Sequence, residues 1–182
     1  MKLVICSDIH GDLAGAKYAV KAFIAEGADK LLILGDLLYH GPRNDLPEGY
    51  NPKAVIKLLN EHGDSIIAVR GNCDAEVDQM VLDFPITSEF AELFCDGLDI
   101  VLNHGHKIDI KNPPPIKKGT ILLTGHTHVP KIEGFGHDNF NINPGSISLP
   151  KNNFPRTYAL YENKKFIIKS VDGEIVYSVD LN

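Results

Sequence analysis

The stretch that decides the fold is residues 3–12, LVICSDIHGD, in which a short apolar run ends abruptly in polar residues. An apolar run of this length, rich in Val, Ile and Leu, is typical of a buried β-strand. Similar runs follow along the chain and alternate with segments that have helical apolar spacing, at Gly11–Glu26 (helix), Leu31–Leu34 (strand), Pro52–Glu61 (helix) and Ile66–Val69 (strand). The order β-α-β-α-β predicts a parallel sheet covered by helices.

The second half of the chain is dominated by strand patterns. Turn residues such as Asp96-Gly97 separate them and favour antiparallel pairing. The predicted strands are Thr87–Cys95, Leu98–Asn103, Thr120–Thr124, Tyr158–Tyr161, Lys165–Val171 and Ile175–Asp180. Together with the first half they predict the α/β class, with two packed mixed β-sheets and helices outside. A length of 182 residues fits one domain, residues 1–182.

Composition excludes several classes of protein. The formal net charge is −6 and no run of basic residues occurs, so we expect no extended nucleic-acid-binding surface. A polynucleotide held only at a catalytic site stays open. Three widely spaced cysteines make neither a disulfide framework nor a thiolate zinc site. The N-terminus lacks the pattern of a signal peptide, and no apolar segment approaches membrane-spanning length, so we expect a cytoplasmic protein with no membrane partner.

Five of the predicted strands end in loops that contain Asp, Asn or His. Any one of these loops alone is typical of a turn or a helix cap. Parallel α/β sheets, however, bind ligands beyond the carboxyl ends of their strands, which places all five loops at one edge. The loops are Ser7–Asp12, Gly35-Asp36, Gly71–Asp74, Asn103–His106 and Gly125–His128. Five unrelated polar turns at one edge would be an improbable coincidence, so the pattern indicates a binding site.

In order and spacing these loops resemble the calcineurin-like metallophosphoesterases. The motifs that carry the resemblance are Asp8-x-His10, Gly35-Asp36, Gly71-Asn72, His104 and Gly125-His126-x-His128. Accessory segments, among them residues 37–44, 47–50 and 143–146, are similar to the small YfcE-type bacterial phosphodiesterases over essentially the whole chain. The resemblance implies a four-layer α/β/β/α sandwich and a hydrolase with a binuclear metal centre.

The resemblance also implies a set of metal ligands. One cation would take Asp8, His10 and His128, the second would take Asn72, His104 and His126, and Asp36 would bridge them. Imidazole and oxygen ligands without thiolate suit two divalent ions, for which we expect Mn²⁺, with Fe, Zn and Ni as alternatives. A hydroxide that bridges the two cations would attack the phosphorus atom in line.

The resemblance further assigns catalytic roles to Asn72, Cys73 and His104. Many family members have His where this chain has Cys73, and a thiol is a poor substitute for a general acid, so we expect faster hydrolysis of activated esters. Cys73 as inert packing stays open. The formal charge of two divalent ions, two aspartates and a hydroxide is about +1, which mildly favours phosphodiesters over monoesters.

Substrate contacts are expected from Asn72, Arg43 and His106. Arg43 suits a bidentate contact to a phosphate oxygen, although a surface salt bridge explains it equally well. His106 either contacts substrate or supports its loop. Asp12 is predicted to cap the first helix, and Asp74 to cap a helix that starts near Ala75.

Other functions are compatible with the same fold. A catalytically silent scaffold for protein–protein binding, such as the retromer subunit of this fold, is the main alternative, and it is disfavoured because all seven ligand positions are filled. A protein phosphatase, nuclease or cyclic-nucleotide phosphodiesterase would use the same site. The expected partner is a small phosphate-ester substrate, and the resemblance suggests a homo-oligomer, either a dimer or a tetramer.

Overall fold

The apolar runs of the chain form two β-sheets packed face to face in the computed structural model, which describes residues 1–181. The strands within these residues are β1 (Lys2–Cys6), β2 (Lys30–Ile33), β3 (Ile66–Ala68), β4 (Phe90–Cys95), β5 (Leu98–Asn103), β6 (Ile121–Leu123), β7 (Pro130–Phe135), β8 (Asn139–Pro144), β9 (Thr157–Glu162), β10 (Lys165–Ser170) and β11 (Ile175–Asp180). The helices are α1 (Leu13–Ala25), α2 (Pro52–Asn60) and α3 (Glu76–Gln79), with a 3₁₀ turn at Gly63–Ser65.

Both sheets are mixed. The first has six strands in the order β11-β10-β9-β1-β2-β3, with β1, β2 and β3 parallel and β9, β10 and β11 forming an antiparallel meander. The second has five strands in the order β4-β5-β6-β8-β7, with β5, β6 and β8 parallel. The predicted α/β class with two packed mixed sheets is therefore confirmed.

Two hydrophobic clusters hold these layers together. Leu3, Ile5 and Leu32 on one face of the first sheet pack against Ile100 and Leu123 of the second. The alternate residues of β1 and β2 point the other way and pack against α1 and α2. Both of these helices cover the first sheet, and loop residues near Pro115 and Ile116 border the second. The longest helix, α1, has 13 residues, and no helix within residues 1–181 is long and apolar enough to cross a membrane.

Strands β7 and β8 were not predicted from the sequence, and this omission is a correction. Strand β7 lies at the edge of its sheet, where Pro130 and Gly134 are tolerated. Strand β8 carries Asn141 and Asn143 among its residues, and their buried side chains bond to neighbouring strands and loops. Because these positions are polar, the segment has no continuous apolar run, although it forms a parallel strand in the core of the sheet.

The first helix begins two residues later than the predicted range. Asp12 is its N-cap, because its side chain accepts hydrogen bonds from the backbone N–H groups of Ala14 and Gly15. The predicted cap is thus confirmed. It fixes the position at which the loop that contains Asp8 and His10 turns into α1.

Candidate metal centre

The loops that follow the parallel strands are joined by backbone hydrogen bonds. The N–H of His10 donates to the carbonyl of Asp36 over 2.8 Å, and the N–H of Asp8 donates to the carbonyl of Gly35 over 3.1 Å. In the second sheet, the N–H of Gly125 donates to the carbonyl of His104 over 2.8 Å. These bonds bring the carboxyl ends of β1 and β2, and those of β5 and β6, into register at one edge of the molecule.

Five of the sequence-predicted ligands have positive φ angles, which residues other than glycine rarely adopt. They are Asp8 (59°), His10 (53°), Asp36 (56°), His126 (65°) and His128 (60°). Each such residue costs about 1–3 kcal/mol and persists only where the surrounding structure enforces it. Within residues 1–181, five of the eleven non-glycine residues with positive φ are predicted ligands, and the other six, such as Asp96 and Asn163, are not.

The first group of converging side chains is Asp8, His10 and His128. The Nε2 atoms of His10 and His128 are 3.2 Å apart, and the Nε2 atom of His128 is 3.3 Å from Oδ1 of Asp8. All three side chains are at most 3% exposed. One potential ligand atom from each lies within 4.8 Å of the others, which fits a single cation.

The second group is centred on Asp36. Its Oδ2 atom is 3.4 Å from Nε2 of His104 and 3.7 Å from Nε2 of His10. Nε2 of His104 is in turn 3.1 Å from Oδ1 of Asn72. Asp36 therefore lies between the ligands assigned to the two cations, where a bridging carboxylate would be expected.

The chemistry of these donor atoms fits a divalent cation. Nδ1 of His10, His104 and His128 each contacts a backbone carbonyl, at 2.8, 2.7 and 2.6 Å. A carbonyl only accepts, so each Nδ1 must carry a proton, and in the neutral ring Nε2 is then an unprotonated electron-pair donor. Oδ1 of Asp8 is also buried without a hydrogen-bond partner within residues 1–181. Imidazole nitrogens and carboxylate oxygens that converge in this way bind a metal ion when the rings are neutral.

The pKa values reflect the same crowding of charge. Burial raises the pKa of Asp8, but the facing imidazoles of His10 and His128 outweigh it and hold that pKa well below its usual range. Burial lowers the pKa of His104, but the bond with Asp36 and the charges of Asp8 and Asp36 raise it to about 9. The carboxylates thus favour positive charge at their centre, which a cation supplies in competition with protons.

A profile of the calcineurin-like phosphoesterase superfamily domain matches residues 1–165, which include all of these side chains. The chain belongs to this superfamily. It is 44% identical to phosphodiesterase YfcE of Escherichia coli (strain K12), over 100% of this chain and 99% of that protein. It is 28% identical to phosphodiesterase MJ0936 of Methanocaldococcus jannaschii, over 80% of this chain and 83% of the relative.

Solved structures agree with the sequence comparison. The structure of YfcE from E. coli superposes with a TM-score of 0.97 at 44% identity, covering 100% of both chains. Vps29 of Entamoeba histolytica, complexed with Zn²⁺, has a TM-score of 0.63 at 19% identity, again over 100% of both chains. The second likeness is evidence for the fold alone.

Two predicted site residues lie beside these groups. The ring of His126 is 5.1 Å from that of His104, and its backbone N–H donates to Oδ2 of Asp8 over 3.0 Å. Cys73 has its Sγ atom within 4.8 Å of ligand atoms of His10 and Asp36. Burial and the charge of Asp36 raise the pKa of Cys73 to about 12.

A cleft of about 740 Å³ opens beside the cluster. Its lining residues include Asn72, Cys73 and Arg43, and also Lys151, which was not predicted as a site residue. His106 is not among the lining residues that the structure describes. Its ring lies 5.3 Å from that of His104, with Nδ1 buried and unpaired within residues 1–181. The predicted substrate contacts of Arg43, Asn72 and His106 stay predictions.

Asp74 is not a helix cap, contrary to the sequence-based prediction. Ala75 is the N-cap position of α3, and the carboxylate that serves that end belongs to Asp78. Asp74 is 4% exposed and instead accepts three backbone hydrogen bonds of 2.8 Å, from Asp36, Leu37 and Gly71. It ties the loop after β2 to the loop after β3, and so positions Asp36 relative to Asn72.

The loop after β8 also supports the site and was missed in the sequence. Ser146 donates from Oγ to the backbone carbonyl of Asp8 over 2.9 Å. Asn143 donates from Nδ2 to the carbonyl of Gly125 over 2.7 Å. The resemblance at residues 143–146 was the feature of the sequence that pointed to this loop. Because β8 was not predicted as a strand, the loop could not be assigned to the edge of the sheet.

Proposed function

We propose that this chain is a metal-dependent phosphodiesterase that hydrolyses small phosphate esters. The observation that carries the proposal is the set of imidazole Nε2 atoms and carboxylate oxygens that face one another around Asp36. A pair of divalent cations bound there would supply a nucleophilic hydroxide near neutral pH and neutralise charge on the phosphoryl oxygens.

We assign one cation to Asp8, His10 and His128. The second is assigned to His104, Asn72 and His126, with Asp36 between the two. Carboxylate, amide and imidazole donors suit Mn²⁺, with Fe, Zn or Ni as alternatives. The same ligand types without a committed thiolate argue against a structural zinc site, which usually includes cysteine.

The remaining steps belong to the side chains of the cleft. Asn72 offers its oxygen to a cation and, at the same time, its amide N–H to a phosphate oxygen. Arg43 lines the same cleft, and its guanidinium is suited to a bidentate contact with a negatively charged part of the substrate. His104 keeps its Nε2 directed at Asp36 because its Nδ1 donates to the carbonyl of Leu34. These contacts would hold the phosphorus atom in line for attack.

The test is hydrolysis of bis(p-nitrophenyl) phosphate by the purified protein before chelation, after chelation, and after addition of Mn²⁺. We expect activity to disappear with the metal and to return with Mn²⁺. Asp36→Asn should abolish activity while far-ultraviolet circular dichroism keeps its native shape. Metal-loaded protein that hydrolyses no activated diester would favour the catalytically silent scaffold instead.

Three further properties are proposed for the molecule as a whole. Residues 1–182 are proposed to form one domain, because β9 and β10 pair in the same sheet as β1. A cytoplasmic location is supported by the free thiols of the chain. A homo-oligomer, dimer or tetramer, is supported by exposed apolar side chains such as Met80 (82% exposed) and Leu46 (60% exposed), and light scattering would measure it.

A further inference from the structure

Two cationic side chains lie in the cleft beside the metal cluster. Among the residues that line the cleft, Arg43 and Lys151 are the ones with an Arg or Lys side chain, and both are exposed. A cleft of about 740 Å³ holds considerably more than a phosphate group. The side chains of Arg43 and Lys151 are therefore placed to contact parts of the ligand beyond the phosphorus atom that is attacked.

Different loops carry the two cations to the cleft. The backbone N–H of Lys151 donates to the carbonyl of His128 over 3.2 Å, so Lys151 is fixed near the His128 side of the cluster. Arg43 belongs to the loop of Gly41, where an added Cβ would lie 3.0 Å from the Sγ atom of Cys73. The two charges thus approach the cleft from the His128 side and from the Cys73 side.

The positive charges of Arg43 and Lys151 have no ion-pair partner in the part of the chain that the structure describes. Within residues 1–181 no carboxylate lies within 4.0 Å of Arg43 or Lys151. The carboxylates that line the cleft are Asp36, a predicted ligand, and Asp74, which is buried and accepts three backbone N–H groups. Two unbalanced positive charges in one cleft contrast with the net charge of −6 of the whole chain.

The single negative charge of a simple diester does not account for the positive charges of Arg43 and Lys151. Two divalent cations with two aspartates and a hydroxide carry about one net positive charge, and one diester anion balances it. We propose that the cleft selects small phosphodiesters that carry a second anionic group on one arm, and that Lys151 together with Arg43 binds this group. The inference rests on the proposed phosphodiesterase function and names its substrate class.

The test compares two activated diesters of the same size. Carboxyethyl p-nitrophenyl phosphate has the second negative charge, and carbamoylethyl p-nitrophenyl phosphate replaces it with a neutral amide. Wild-type protein loaded with Mn²⁺ is assayed with both at low and high NaCl concentration. The same assays are run on Lys151→Met, on Arg43→Gln and on the double variant. Lys21→Met, an exposed lysine of α1 outside the cleft, serves as the matched control.

We expect wild-type protein to prefer the carboxylate ester by about tenfold in kcat/KM, mainly through KM, with a smaller preference at high salt. Each cleft variant should reduce this ratio, the double variant should bring it close to one, and Lys21→Met should keep the wild-type ratio.

Equal rates for the two esters in the wild type would overturn the inference and leave the phosphodiesterase function standing. Slowing of both esters by the same factor in Lys151→Met would also overturn it, because the lysine would then contact the common phosphate. Hydrolysis of neither ester would overturn the proposed function itself, and this inference with it.

Discussion

The resemblance in sequence aligns Cys73 with a histidine that acts on the leaving group in many metallophosphoesterases. Its Sγ atom accepts a hydrogen bond from Nδ2 of Asn72 over 3.1 Å, and burial together with the charge of Asp36 raises its pKa to about 12. A thiol with such a pKa is a weak acid and gives little help to a departing alkoxide.

We therefore expect the rate of diester hydrolysis to fall steeply as the pKa of the leaving group rises. Cys73→His should accelerate esters with poor leaving groups, by up to about 100-fold, because an imidazolium supplies the missing proton. Cys73→Ser should keep the steep dependence. A series of methyl aryl phosphates measures this, and a flat wild-type dependence would contradict the assigned role.

Asp74 gives a second prediction, since three buried N–H groups depend on its two oxygens. Asp74→Asn leaves one acceptor oxygen and turns an N–H₂ group towards a donor. We expect it to cost more than about 2 kcal/mol of unfolding free energy and about 10- to 100-fold in Mn²⁺ affinity. Urea denaturation measures the free energy of unfolding, and titration calorimetry measures the Mn²⁺ affinity. Asp29→Asn, which alters an exposed acceptor of a backbone N–H, is the control and should change neither.

The convergence of Asp8, His10, Asp36, His104 and His128 could be predicted from the sequence, because each follows an apolar run at a strand end. The role of Asp74 could not. A carboxylate one residue before a helical segment is typical of a cap, while its actual donors Asp36 and Leu37 lie 38 and 37 positions away. Lys151 was missed for a related reason, since its loop follows β8, which the sequence analysis did not predict.

At the scale of elements, the loops after β2 and β3 approach so closely that only glycine fits at residue 71. A Cβ added to Gly71 would collide with the carboxylate and the backbone nitrogen of Asp36. Gly71→Ala should therefore displace Asp36 and abolish Mn²⁺ binding and diester hydrolysis. In Gly134→Ala, where an added Cβ meets only the carbonyl of Asn139 at 3.9 Å, metal binding and activity should persist. Native metal content in Gly71→Ala would show that the approach is not needed.

The elements of the first half were predictable because their patterns are simple. Strands β1, β2 and β3 are largely buried apolar runs, α1 begins after its predicted cap Asp12, and α2 begins at Pro52 as predicted. Strand β8 escaped prediction because its core positions alternate with Asn141 and Asn143, which hydrogen-bond within the molecule instead of facing solvent. Side-chain pairing of this kind depends on tertiary contacts that no local pattern encodes.

At the scale of the whole molecule, the Asp and His side chains of the metal centre come from loops of both sheets. The free energy of unfolding should therefore depend on the protonation of these side chains. The pKa of His104 is raised from 6.5 to about 9. The stabilisation of the folded state by protonated His104 is therefore fully present below about pH 6.5 and is lost as the pH rises through 9. At 1.36 kcal/mol per pKa unit this amounts to about 3 kcal/mol. The pKa of Asp8 is lowered, so its contribution is present above its usual pKa and is lost in acid.

Chelated protein should therefore be more stable towards urea at pH 6 than at pH 9. Bound Mn²⁺ replaces the protons on the imidazoles, so its stabilising effect should grow over the same range. Urea denaturation of chelated and Mn²⁺-loaded protein at several pH values measures both trends. Chelated protein with constant stability from pH 6 to 9 would contradict the assigned coupling.

The central claim is that side chains from both sheets hold two cations with Asp36 between them. The most direct measurement is the metal content of the chain after loading with Mn²⁺ and removal of free ions, by elemental analysis. We predict two Mn²⁺ per wild-type chain and at most one in Asp36→Asn. One cation or none in the wild type, or two retained in Asp36→Asn, would contradict the account.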